Sequence, residues 1–268
     1  MSITNQEKQT PQARSQSYFG KTASAYLTST IHAKGHDLQQ MVDVASECLG
    51  GSLEGFPVLD VATGAGHTAL AFAKAGAQVT ATDITPEMLT TTREHAASQG
   101  ITLTVQEAAA EALPFENDTF TCVTCRIAAH HFASVPTFLA EAARVLQPNG
   151  YLLIVDNVVS ENSTLATPMN SIEKHRDASH VRALSVSEWV HQAAAHTLDC
   201  MYVSRWQRRK NFPDWCARAG MSTSEQVGLE QMILELDKPI QDYLGVEQVD
   251  GKLAILCHEA ALLTFIKR

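Results

Sequence analysis

The stretch Asp60-Val61-Ala62-Thr63-Gly64-Ala65-Gly66-His67 decides the fold. Ahead of it, residues 58–62 form a short apolar run behind Gly55 and Pro57, which reads as a buried strand. Behind it, residues 68–75 carry helical spacing and stop at Gly76. Glycines between a strand and a helix let the backbone approach a ligand closely.

The same alternation continues outward. Residues 78–82 read as a second strand ending at Asp83, and a helix starts at Pro86 and runs to Gly100. Residues 102–106, 119–125 and 151–155 read as further strands, with a helix over 135–146 and a turn at Gln147-Pro148-Asn149-Gly150. This order predicts an α/β fold, a doubly wound and mostly parallel sheet with helices on both faces. In such a sheet the ligand lies at the carboxyl ends of the strands, so Asp60, Asp83, Arg126 and Asp156 are expected around one crevice. Residues 17–50 have helical spacing, 164–200 look helical with Trp189, Ala193 and Leu198 as core contacts, 200–209 reads as a strand, and 252–266 as the last one. Residues 212–220 and 224–236 are helix candidates.

With 268 residues, 45% of them hydrophobic and 18% charged, the chain suits a packed globule and excludes a disordered one. A net charge of −9 argues against a nucleic-acid partner. Six cysteines are too few for a disulfide scaffold. No apolar run approaches a membrane span, and the polar start lacks the apolar core of a signal peptide, so a cytoplasmic protein without membrane insertion is expected. Residues 1–16 read as a disordered tail and 17–268 as a single domain, with its core at about 53–156, 200–210 and 252–267 and a cap at 17–50 and 160–200; 211–250 is further excess chain. A homodimer is compatible with the sequence.

Residues 64–69 also fit G-x-G-x-x-A, the dinucleotide fingerprint, with Asp83 near the expected interval for a ribose-binding acid. Asp60 weighs against a pyrophosphate over the turn. A carboxylate there favours a cofactor without phosphates and with cationic groups, such as S-adenosylmethionine. An NAD-dependent oxidoreductase is the alternative enzyme, and a cofactor-binding module without catalysis the alternative outside enzymes.

The motifs then converge on a family. Asp60-x-Ala62-x-Gly64-x-Gly66, the run from Asp83 to Leu89, Ala110-Glu111-Ala112-Leu113-Pro114-Phe115, Cys125-Arg126-Ile127-Ala128-Ala129-His130-His131-Phe132, and Glu141-x-x-Arg144-Val145-Leu146-x-Pro148-x-Gly150 stand in order over about 100 residues. The chain resembles class I S-adenosylmethionine-dependent methyltransferases, in the branch of the ubiquinone/menaquinone biosynthesis C-methyltransferases. Tyr26-x-x-Ser29-x-x-His32-Ala33-x-Gly35-x-Asp37-Leu38 and the run from Arg176 to Arg182 are similar to an uncharacterised bacterial group within it. The resemblance implies a Rossmann-like seven-stranded sheet with the last strand antiparallel, a helical cap, and S-adenosylmethionine as cofactor. It implies that Gly64 and Gly66 face the methionine part, with Asp60 and Ala62 in the same motif, that Asp83 meets the ribose, Ile84 and Met88 flank the adenine, Ala110 offers its backbone N–H to the ring, and Arg126 lines the cleft below the methyl group. Many relatives have Asp where Ala109 stands; here Glu111 or a backbone carbonyl is left to hold the adenine amino group.

Other signals are weaker. Cys122 and Cys125 form C-x-x-C, but on a strand they point to opposite faces and no second pair follows at zinc spacing, so core cysteines and no metal are expected. His130 and His131 fall in the crevice, His131 the more inward. His175, Arg176, Asp177, His180 and Arg182 cluster beside the fifth-strand end; Arg176 and His180, four apart, share a face if the segment is helical, and a guanidinium there could hold a carboxylate or phenolate. His131 and His180 are the candidate bases. The basic run from Arg205 to Lys210 reads as a solvated edge strand. Tyr18 and Tyr26 are expected on a lid over the cofactor. The expected reaction is in-line methyl transfer to a small-molecule acceptor, a phenol or quinol-like ring among the options.

Overall fold

The computed structural model describes residues 10–27 and 35–268; the side chains of residues 21–27, Tyr26 among them, and the stretch carrying Ser29, His32 and Ala33 lie outside the described residues. The strands β1 (Pro57–Val61), β2 (Gln78–Asp83), β3 (Thr104–Glu107), β4 (Phe120–Arg126), β5 (Leu146–Val158), β6 (Leu198–Asn211), β7 (Glu247–Val249) and β8 (Lys252–Lys267) form one sheet in the order β3-β2-β1-β4-β5-β8-β6. The first five are parallel, and β8 runs antiparallel to β5 and β6. The fold is the expected doubly wound Rossmann-like one. It differs by an eighth strand, because Asp250 and Gly251, both left-handed (φ 51° and 74°), form a tight hairpin that pairs β7 with β8.

The helices are α1 (Pro11–Leu27), α2 (His36–Cys48), α3 (His67–Lys74), α4 (Pro86–Ser98), α5 (Val135–Val145), α6 (Ser163–Arg176), α7 (Val186–Ala194), α8 (Phe212–Arg218), α9 (Thr223–Leu234) and α10 (Lys238–Tyr243). One sheet face carries Leu59, Val123, Cys125 and Ile154 against Phe138 and Leu139 of α5 and Trp189 of α7. The other sets Val58, Cys122, Leu153 and Val155 against Met41 of α2 and Phe72 of α3. The two cysteines therefore serve opposite cores, as strand alternation requires. A third core joins Ile172 of α6 to Trp215, Ile233, Ile240 and Leu256, so 211–250 packs with the segment after β5.

Three expectations need correction. The stretch read as a disordered tail includes helix from Pro11 onward. Thr10 Oγ1 accepts the Ala13 N–H at 3.2 Å, Pro11 is suited to a first helical position, and Gln16 Nε2 donates to the Ile84 carbonyl at 2.7 Å. The turn at 147–150 is a bulge inside β5: Leu146 pairs with Phe120, Asn149 turns left-handed (φ 62°), and pairing resumes at Cys122 and Tyr151. The helical reading of 164–200 breaks at 177–185. Asp177 leaves helical geometry (φ −135°) and its Oδ1 accepts the Ser179 N–H at 2.9 Å, an Asx turn. A Ser185/Glu188 capping box restarts the chain as α7. Among the described residues no helix is long and apolar enough to cross a membrane.

Candidate active site

The glycine turn is held from behind. Asp60 is 1% exposed; its Oδ2 accepts the Thr63 hydroxyl at 2.6 Å and its Oδ1 the Thr124 hydroxyl at 2.8 Å. Burial pushes its carboxyl up to about 6 despite those donors. From the front, α4 grips two turn carbonyls: Thr92 Oγ1 donates to Gly64 O at 2.7 Å, and His95 Nδ1 lies 2.8 Å from Ala65 O. Ala62 is left-handed (φ 54°), a conformation that disfavours its Cβ. Gly66 (φ 82°) cannot take a side chain, since a Cβ would meet Thr92 Cγ2 at 2.8 Å. Gly64 (φ 57°) is the opposite case. A Cβ there would meet nothing within 4 Å, because it faces empty space.

That space is a cavity open to solvent. It is lined by Ala62, Gly64, Asp83, Ile84, Met88, Ala110, Glu111, Arg126 and His131, with Ser15 and Phe19 of α1. Asp83 accepts the Gly64 N–H on Oδ2 and the Thr85 N–H on Oδ1, both at 2.9 Å, which leaves each oxygen one acceptor position. Burial raises its carboxyl even so. Glu111 Oε1 accepts the Ala133 N–H at 2.8 Å and the Ser134 N–H at 3.3 Å. Arg126 is pinned: its Nε donates to Asp37 Oδ2 at 2.7 Å, and Arg208 Nη2 meets the same oxygen at 3.1 Å. Asp37, on α2, stood in the sequence as part of the motif from Tyr26 to Leu38 but was given no role; its pairing with Arg126 is set only by the tertiary fold.

Two of the four residues expected around the crevice stand behind it. Asp60 supports the turn and does not line the cavity. Asp156 is buried and spent on His130, whose Nδ1 lies 2.5 Å from Oδ1 and whose N–H donates to Oδ2 at 3.0 Å. Burial pulls the His130 imidazole down, but Asp156 outweighs it and holds the pKa above the ordinary histidine value.

His131 does line the cavity, edge-on to Phe19 at 5.0 Å between ring centres. Its Nδ1 lies 3.0 Å from Ser179 Oγ, and that hydroxyl donates to Asp177 Oδ1 at 2.5 Å. With the Ser179 hydrogen committed to the carboxylate, Ser179 can only accept from His131. The His131 tautomer is therefore Nδ1–H, with its lone pair on Nε2. Burial, then the neighbouring His130, lowers His131 to about 3, so it is neutral at physiological pH.

His180 and Arg176 do not line this cavity. They do not share a helix face either, because α6 ends at Arg176. Arg176 donates to Glu173 Oε2 at 3.1 Å and sits over the Trp215 ring at 4.7 Å, so it is already paired. His180 Nε2 lies 3.0 Å from Asn170 Oδ1, which also accepts the Ala183 N–H. That oxygen can only accept, so His180 carries its hydrogen on Nε2, and its buried Nδ1 has no partner among the described residues. Burial, then His130, lowers it to about 4. The basic run of β6 is solvated on one side only. Arg205 and Arg209 are exposed, but Arg208 and Lys210 turn inward, because alternation on an edge strand gives every second residue to the covered face.

Relatives settle the class of protein. Residues 59–154 match the family described as Methyltransferase domain. The uncharacterized methyltransferase YcgJ of Bacillus subtilis (strain 168) is 34% identical over 93% of this chain and 98% of its own length. This chain belongs to the methyltransferase family. The crystal structure of Bacillus subtilis YcgJ superposes with a TM-score of 0.83 over 87% of this chain and 98% of that one, at 32% identity. A ubiquinone/menaquinone biosynthesis C-methyltransferase, UbiE of Marinomonas sp. (strain MWYL1), is 36% identical, but over only 52% of this chain and 55% of its own. The likeness to that branch is thus confined to about half of the chain. The protein is an S-adenosylmethionine-dependent methyltransferase.

Proposed function

We propose that this methyltransferase acts on a small-molecule hydroxyl or ring-carbon acceptor of phenol or quinol type, with His131 orienting the acceptor and receiving its proton. The observation that carries the reading is the Asp177–Ser179–His131 chain, which leaves a neutral imidazole in the cavity wall with its lone pair on Nε2. The residues of the cavity fit the cofactor. Gly64 opens onto space that a Cβ would fill, and the acceptor positions left on Asp83 suit the two ribose hydroxyls. The Arg126 guanidinium is paired with Asp37, which holds its position in the cavity wall. Ile84 and Met88 would flank the adenine, Ala110 would offer its N–H, and Glu111 Oε2 would take the amino group in place of the missing Asp at 109. When bound, the cofactor supplies an activated methyl group. What remains for the chain is to align the acceptor, exclude water and take up a proton as the new bond forms.

Isothermal calorimetry with S-adenosylhomocysteine and methyl-transfer assays against a panel of phenols test the reading. His131→Gln keeps cofactor affinity and loses about 10²-fold or more in turnover. Because His131 is neutral above about 3, the wild-type rate shows no histidine limb between roughly pH 5 and 8. Full turnover in His131→Gln, or loss of cofactor binding in it, refutes the role.

A further inference from the structure

The hydrogen bonds that fix His131 continue past it into the protein. Its Nδ1–H meets Ser179 Oγ at 3.0 Å, and the Ser179 hydroxyl donates to Asp177 Oδ1 at 2.5 Å. Both bonds point the same way, from the cavity wall towards a buried carboxylate. Both can also reverse, since imidazole, hydroxyl and carboxyl each give and take a proton. The other rings beside His131 offer no such path. His130, 4.1 Å away between ring centres, has its Nδ1 committed to Asp156. His180, at 6.5 Å, does not line the cavity and bonds Asn170, whose amide cannot take up a proton. A proton held on His131 itself is costly, because burial and the neighbouring His130 both disfavour the imidazolium.

We propose that Asp177 is the terminal proton acceptor of methyl transfer to a hydroxyl, reached from the acceptor through His131 and Ser179. The inference rests on the methyl-transfer reading above and extends it to a residue outside the cavity wall. The acceptor oxygen bonds the methyl carbon as the carbon–sulfur bond breaks. The acceptor's O–H proton passes to His131 Nε2, the His131 Nδ1 proton to Ser179 Oγ, and the Ser179 hydroxyl proton to Asp177 Oδ1. The imidazole ends neutral, now as the Nε2–H tautomer, and the one proton released rests on the carboxyl. The Ser179 N–H at 2.9 Å and Arg176 at 3.8 Å hold that carboxyl in place. The relay runs back once product has left. His131 Nε2–H, in the wall of a cavity open to solvent, gives its proton to water, its Nδ1 recovers one from Ser179, and Ser179 recovers one from Asp177.

The test separates a proton acceptor from a group that only fixes a tautomer. Asp177→Asn keeps an oxygen for both Ser179 hydrogens and suits the same turn, but it cannot take a proton. Histidine nitrogen NMR of the full chain with S-adenosylhomocysteine finds His131 as Nδ1–H in wild type and in Asp177→Asn, and without that preference in Ser179→Ala. Turnover is read at one mildly alkaline pH with two acceptors: phenol, which is still protonated there, and 4-nitrophenol, which is ionised and needs no base. Asp177→Asn and Ser179→Ala each lose at least about tenfold with phenol and keep the wild-type rate with 4-nitrophenol. Calorimetry finds their S-adenosylhomocysteine affinity unchanged. Wild-type phenol turnover in Asp177→Asn overturns the relay. An equal loss with both acceptors overturns it too, since Asp177 would then only hold the site in shape, and so does His131 found as Nε2–H in wild type. Full phenol turnover in His131→Gln, or no transfer to either acceptor by wild type, is a separate result, which overturns the reading on which the relay rests.

Discussion

Replacing Asp60 by Asn removes a charge while keeping the shape of the group behind the glycine turn. The carboxyl is 1% exposed and burial moves its pKa from 3.8 to about 6. About two pKa units correspond to about 3 kcal/mol of cost for carrying the ionised form in the folded state. The sign follows from linkage. The folded protein holds this proton more tightly than the unfolded chain, so wild-type stability falls as pH rises from about 4 to about 6 and the full cost is present above that. Asn cannot ionise and escapes the cost. One of its two Thr neighbours must turn its hydroxyl to accept from the new amide, and both hydroxyls are able to. Urea unfolding at a series of pH values, read by tryptophan fluorescence, should show Asp60→Asn more stable than wild type by up to about 3 kcal/mol above pH 6. The two curves should converge below about pH 4. A variant less stable than wild type at pH 7, or a gap that does not change with pH, would refute the reasoning. Cofactor affinity should change little, because Asp60 does not line the cavity.

Ala62→Gly should stabilise the protein by about 1 kcal/mol in the same unfolding assay, because Ala62 is left-handed (φ 54°) and Gly carries no Cβ penalty there. Gly64→Ala should fold with a loss of about 1–2 kcal/mol and yet lose measurable S-adenosylhomocysteine binding by calorimetry, since its Cβ enters empty cavity space rather than protein. Asp156→Asn should destabilise by about 3 kcal/mol and, in histidine NMR titrations, move His130 to a lower pKa, since the carboxylate is what holds that pKa above the ordinary histidine value.

The parts of the fold that could be read from the sequence are those whose causes are local. The glycine turn, Pro86 at a helix start and the strand alternation each carry their reason within a few residues, and the cofactor cavity follows from them. The missed features have causes elsewhere in the chain. The break at 177–185 rests on the Asp177–Ser179 turn, and on the His130 carbonyl accepting from the Val181 and Arg182 N–H groups. No periodicity count over 164–200 contains that carbonyl. Asp156 had the right position for a crevice residue, but its carboxylate is claimed by a histidine 26 residues away in sequence. The basic run of β6 was read as one solvated face; which half faces inward depends on α2 and α6 covering that side. Some missed signals were local all the same. Thr10-Pro11 marks the start of α1, Ser185-x-x-Glu188 the start of α7, and Asp250-Gly251 the β7–β8 hairpin.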